Sequence, residues 1–113
     1  MLYSNVVVVG FASRVGKYAE EDAAIVEALY ECGAIFYVKT NVPQSLMVTT
    51  PMTHNDMLDN HTPFQWTETH NLLSGRTVNP YNRSLTSGGS SGGEGALIAM
   101  RGSMLGVGTD LGG

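Results

Sequence analysis

Glu20-Glu21-Asp22-Ala23-Ala24-Ile25-Val26-Glu27-Ala28-Leu29-Tyr30-Glu31-Cys32-Gly33-Ala34-Ile35-Phe36-Tyr37-Val38 is the stretch on which the fold class turns. Ile25, Ala28, Leu29 and Cys32 recur at i, i+3, i+4 and i+7, which places one apolar stripe on a helix. The acidic trio at 20–22 suits the positive N-terminal end of that helix. Gly33 follows the last periodic residue, where a left-handed cap costs a residue without Cβ nothing. Ala34 to Val38 is a short β-branched and aromatic run, which predicts a strand buried on both faces. Helix, one-residue cap and buried strand make an α/β unit. Cys32 lies on the apolar stripe, so a buried, inert thiol is expected there.

Moving outward, Pro43 cannot donate to a ladder and ends the strand, so Thr40-Asn41-Val42-Pro43-Gln44 begins a loop. Lys39, at the strand's end, is expected to be solvated rather than a desolvated base. Val48 to Gln65 shows no period of either kind, and Asn79-Pro80-Tyr81-Asn82 marks a turn. Ten of the 14 glycines fall between Gly88 and Gly113, so the last quarter of the chain has its own task. Gly88-Gly89-Ser90-Ser91-Gly92-Gly93 leads into a helical stretch from Glu94 to about Met100, and Leu105 to Asp110 reads as a thin strand. Such a loop at a helix start offers backbone N–H groups and hydroxyls to an anion or an oxyanion. It lacks the Lys-Ser/Thr ending of a P-loop. The competing reading is a flexible Gly/Ser linker, against which the apolar segment that follows argues.

The composition bounds the function. One hundred and thirteen residues make one small domain. With 42% hydrophobic and 14% charged residues the chain is globular, and a net charge of −4 does not supply the surface that binds nucleic acid. Val6-Val7-Val8-Val9-Gly10-Phe11-Ala12 is far short of the roughly 20 apolar residues that span a bilayer, and no basic segment precedes it as in a signal peptide. With a single cysteine, this makes a cytoplasmic protein the expectation. The spacing of His54, His61 and His70 matches no zinc pattern, so neither metal nor other cofactor is expected. Asn60-His61-Thr62 and Asn82-Arg83-Ser84 match the N-glycosylation triplet without a secretory signal to support it.

Gly88 to Ile98, followed by Gly102-Ser103-Met104-Leu105-Gly106-Val107-Gly108-Thr109-Asp110-Leu111-Gly112-Gly113, closely resembles the signature of the amidase signature family. Lys39-Thr40-Asn41-Val42-Pro43-Gln44 and Gly75-Arg76-Thr77-Val78-Asn79-Pro80 look like two more of its blocks, in the dialect of fungal general amidases and acetamidases. The resemblance covers Gly10 to Met47 and Thr67 to Gly113. It implies a piece of a three-layer α/β/α fold around a mixed sheet, and a small-molecule amide as substrate. In that family a serine nucleophile attacks an amide carbonyl, a second serine on a cis peptide relays protons to a lysine, and backbone N–H groups before the nucleophile hold the oxyanion. Carried over by position, the relay serine is Ser90. The oxyanion donors are the backbones of Leu111, Gly112 and Gly113, and Leu46 and Met47 line the acyl-binding wall.

The departures from the family pattern carry expectations of their own. The family's nucleophile follows the position of Gly113, and its lysine belongs to a block ahead of Gly10 that Met1 to Val9 do not resemble. The expectation is therefore a fragment truncated at both ends and inactive by itself, with oligomeric state open. The alternative is a non-catalytic short isoform or pseudoenzyme whose glycine-rich loop binds an anion or a partner. Residues 48–65 interrupt the family pattern as an insertion or a translated intron, since valine codons begin with GT and one glutamine codon ends in AG.

Overall fold

A computed structural model of the protein describes residues 10–46 and 69–110. Met47, Leu111, Gly112 and Gly113, the 48–65 stretch and the Val6–Val9 run lie outside the described residues. Within them the chain is a small α/β piece with short antiparallel strands.

Helix α1 spans Ala24–Glu31 and starts after an extended Ala23, so the acidic trio lies just ahead of the helix instead of in its first turn. Its end is a complete Schellman motif. Gly33, at φ +87°, donates its N–H to Tyr30 O at 2.9 Å, and Ala34 N–H donates to Leu29 O at 2.9 Å, which satisfies two otherwise orphaned carbonyls. The sequence expectation of a glycine cap therefore holds. The burial expected of this unit does not. Cys32 is exposed, and so is Ile25 on the same stripe. No ladder forms at Ala34 to Val38, and Ile35 is 87% exposed. A strand needs a partner and a covering layer, and among the described residues neither lies against this run. Lys39 is exposed, as expected.

Two hairpins follow. Strands β1 (His70–Asn71) and β2 (Gly75–Arg76) pair antiparallel through His70↔Arg76 and Asn71↔Gly75. The loop closes because Asn71 Oδ1 accepts the N–H groups of Leu73 (2.9 Å) and Ser74 (2.8 Å), an Asx turn, while Gly75 takes φ +74°. Strands β3 (Val78–Asn79) and β4 (Asn82–Thr86) form the second hairpin around Pro80-Tyr81, with an irregular register between Val78 and Asn79. Asn79 Oδ1 accepts Tyr81 N–H at 3.0 Å, so the turn marked in the sequence is again an Asx turn.

Helix α2 runs Gly92–Ala99 and starts two residues earlier than the apolar spacing indicated. Tyr81 Oη donates to Ala99 O at 2.9 Å and Tyr37 Oη donates to Gly102 O, so two distant segments are fastened to its C-terminal end. Leu105 to Asp110 forms no strand; it runs back past the start of α2 and is tied there by side chains instead of a ladder. Among the described residues the fully buried side chains with the largest volume are Thr69 and Pro43, and Asn71 and Ser90 are buried beside them, so the centre is polar. No helix among the described residues is long and apolar enough to cross a membrane.

Candidate active site

The site is built on the turn from β4 into α2. Gly88 takes φ +77°, the Gly89–Ser90 peptide bond is cis, and Ser90 is 4% exposed. Ser90 Oγ donates to Thr109 O at 3.0 Å. Ser91 Oγ donates to the same carbonyl at 2.8 Å and accepts Thr109 N–H at 2.8 Å, so the neighbouring hydroxyl grips both ends of one residue. These bonds bring Ser90 against the segment that leads, two residues later, to Leu111. With its proton directed at Thr109, the Ser90 hydroxyl keeps lone pairs that can accept a hydrogen bond.

Thr69 anchors the loop from below. Its Oγ1 donates toward Gly88 O at 3.0 Å and Ser90 O at 3.3 Å, and accepts Gly92 N–H at 2.9 Å. A Cβ at position 92 would overlap Thr69 Oγ1 and Ser87 Oγ, which is why that position is glycine. Asn41 anchors it from the side, since its carbonyl accepts Gly93 N–H at 3.1 Å. The first two N–H groups of α2 are therefore already bonded to protein. Two of the donors that the glycine-rich sequence offers to an anion are thus taken by the protein itself. Nor does the loop behave as a linker, because Ser90 and Gly92 are both buried in it.

Two asparagines lock the surrounding pieces. Asn71 Nδ2 donates to Asn41 Oδ1 and to Val42 O (2.7 Å), and Asn41 Nδ2 donates to Gly75 O (3.2 Å) and Thr77 Oγ1 (3.0 Å). Thr40 Oγ1 donates to Glu94 Oε2 at 2.8 Å, which fixes the one carboxylate in the first turn of α2. Among the described residues no buried side-chain polar atom lacks a hydrogen-bond partner, so in this network each hydrogen bond offsets the cost of taking its groups out of water.

Of the residues expected at the site, Ser90 is central to this arrangement. Leu46 stands half-buried at the end of the turn Gln44–Leu46, with φ +61° and its N–H donating to Pro43 O at 3.0 Å. That left-handed conformation costs a branched residue about 1–2 kcal/mol. Met47 and the oxyanion residues Leu111, Gly112 and Gly113 are outside the described residues. Sequence reasoning missed Thr69, Asn41 and Asn71 as the scaffold of the loop. Asn41 lies within the 39–44 block and Thr69 and Asn71 just ahead of the 75–80 block, but nothing in an uncharged polar residue announces burial.

Comparison with known proteins follows the same residues. A family model described as Amidase matches residues 6–113. The acetamidase of Emericella nidulans is 46% identical over 104 residues, covering 92% of this chain and 16% of the relative. The acetamidase of Aspergillus oryzae is 46% identical over 103 residues, 91% of this chain and 16% of that protein. A vitamin D3 hydroxylase-associated protein of Gallus gallus is 43% identical over 104 residues, 92% of this chain and 18% of its own length. The chain thus spans about one-sixth of the length of these relatives. No solved structure matches it significantly.

Proposed function

The chain belongs to the amidase family, and on that premise we propose that its 113 residues supply the glycine-rich half of the active site of an amide hydrolase that cleaves small carboxamides. Ser90 is the proton relay between a serine nucleophile and a lysine, both supplied from outside these residues. The backbones of Leu111, Gly112 and Gly113 receive the oxyanion, and Leu46 and Met47 line the acyl side. The whole protein has the three-layer α/β/α fold, and residues 48–65 are an insertion or a translated intron.

The observation that supports this most directly is the buried Ser90 hydroxyl, hydrogen-bonded to Thr109 inside a chain segment that the family model covers throughout. In the reaction, the nucleophile's proton passes to Ser90 Oγ as Ser90 passes its own to the lysine. The new C–O bond forms, and the carbonyl charge moves to an oxygen held by backbone donors. As the C–N bond breaks, the relay returns the proton to the leaving amine, and water then attacks the acyl ester and releases the carboxylic acid and the serine hydroxyl. The bonded state of the Gly92 and Gly93 N–H groups favours this reading over an anion-binding loop.

The 113-residue chain alone is expected to release no ammonia from acetamide, because the covalent route is absent. The test is a chimera of the Emericella nidulans acetamidase in which the matching segment is replaced by residues 6–47 of this chain joined to 66–113. The chimera is expected to hydrolyse acetamide and its Ser90→Ala variant to lose on the order of 10⁴-fold in kcat. An inactive chimera that is folded, or a Ser90→Ala chimera with unchanged kcat, would overturn the proposal.

A further inference from the structure

We infer that Thr69 is the positioning residue for Ser90, acting through a single hydroxyl that holds the chain on both sides of it. The inference rests on the relay reading of Ser90 given above. Three geometric facts carry it. Thr69 has no exposed surface, and its Oγ1 proton is shared between the carbonyls of Gly88 and Ser90, which flank the Gly89–Ser90 peptide. The oxygen's lone pair accepts the N–H of Gly92, the first residue of α2, where the N-cap Ser91 makes no side-chain cap bond. Thr69 thereby does the capping work from 23 residues away. Third, Thr69 is itself fixed, because its carbonyl accepts Thr77 N–H at 2.9 Å from the link between β2 and β3.

The consequence is a division of labour between two hydroxyls. In the relay reading Ser90 Oγ exchanges protons and bonds Thr109 O, so the main chain of Ser90 is held by another group. Thr69 Oγ1 does this where a water could not, since Gly92 leaves no space between itself and the threonine. Removal of the hydroxyl frees the Ser90 carbonyl and the Gly92 N–H and leaves the Gly88 carbonyl only its longer bond from Ser87 Oγ (3.4 Å), and the loop then shifts to recover partners. A displacement of about 1 Å in a group that transfers protons costs on the order of 10²-fold in rate without touching substrate affinity.

Thr69→Val keeps the shape and removes the hydroxyl, whereas Thr69→Ser keeps the hydroxyl and removes only a methyl. In the 113-residue chain, the peptide containing residues 88–93 is expected to exchange its amide hydrogens about tenfold faster in the Val variant than in the parent. The Ser variant should match the parent. In the acetamidase chimera, Thr69→Val is expected to lower kcat about 10²-fold with KM unchanged, and Thr69→Ser to restore kcat. Equal exchange at 88–93 in all three chains, or a Val variant whose kcat matches the parent, overturns the role. A loss spread over every peptide and over KM as well also overturns it, since that marks general destabilisation. The exchange measurement does not depend on hydrolysis, so it decides the Thr69 role even where Ser90→Ala has refuted the relay.

Discussion

At the scale of single residues, the glycines of α2 are not equivalent. A Cβ at position 93 would overlap the Asn41 N, and would stand 2.7 Å from its O and 2.9 Å from its Cα. Those are backbone atoms, which no rotamer change moves. A Cβ at position 95 would meet only Ser87 O, at an ordinary 3.8 Å. The intrinsic gain of alanine over glycine inside a helix is about 1 kcal/mol at either site. At 95 nothing opposes it, and Gly95→Ala is expected to raise the urea midpoint of the chimera. At 93 the overlap costs about 1–3 kcal/mol and parts Gly93 N–H from Asn41 O, so Gly93→Ala is expected to lower that midpoint. Opposite signs from two identical substitutions two residues apart are the signature of backbone packing. Equal signs would mean that α2 does not press on Asn41.

At the scale of elements, what could be read early was local. The Schellman cap at Gly33, the helix after the glycine-rich loop and the turn at Asn79-Pro80-Tyr81-Asn82 are each decided by a few adjacent residues. The strand expected over Ala34 to Val38 and the thin strand over Leu105 to Asp110 are not local objects. The first is held instead by Tyr37 on Gly102, and the second by Ser90 and Ser91 on Thr109. The two hairpins were not legible because three of their four strands have only two residues, too few to display a period of two. The 48–65 stretch belongs to this scale as well. Read as a translated intron, it is expected to be missing from most molecules of the transcript. Sequencing of cDNA across codons 47–66 checks this, and a message that retains the stretch throughout makes it a true insertion, which a surface loop tolerates.

At the scale of the whole molecule, the polar centre and the apolar outside of the described residues are inverted relative to an ordinary domain. Thr69, Asn71 and Ser90 are buried, while Ile25, Tyr30, Ile35, Val38, Met104 and Leu105 are exposed. An apolar surface of this kind is stable in water only when something covers it. In the proposed whole protein the rest of the fold does so. The 113-residue chain alone is therefore expected to elute in size-exclusion chromatography well above the position of a 12.0 kDa monomer and to enhance the fluorescence of a hydrophobic dye. A monomeric elution with no dye binding would show that the surface needs no cover.

The amino-acid sequence by itself determined the family, the two helices, the glycine cap of the first and the position of the candidate serine, because each depends on residue type at short spacing. Only the tertiary structure decided that Thr69, Asn41 and Asn71 bear the loop, that the first N–H groups of α2 are already bonded, and that Cys32 and Ile35 face outward. The physical reason is that burial and hydrogen-bond partnership are relations between distant parts of a chain. An uncharged polar side chain carries the same donors and acceptors in every context, and its neighbours determine whether it meets water or a buried carbonyl.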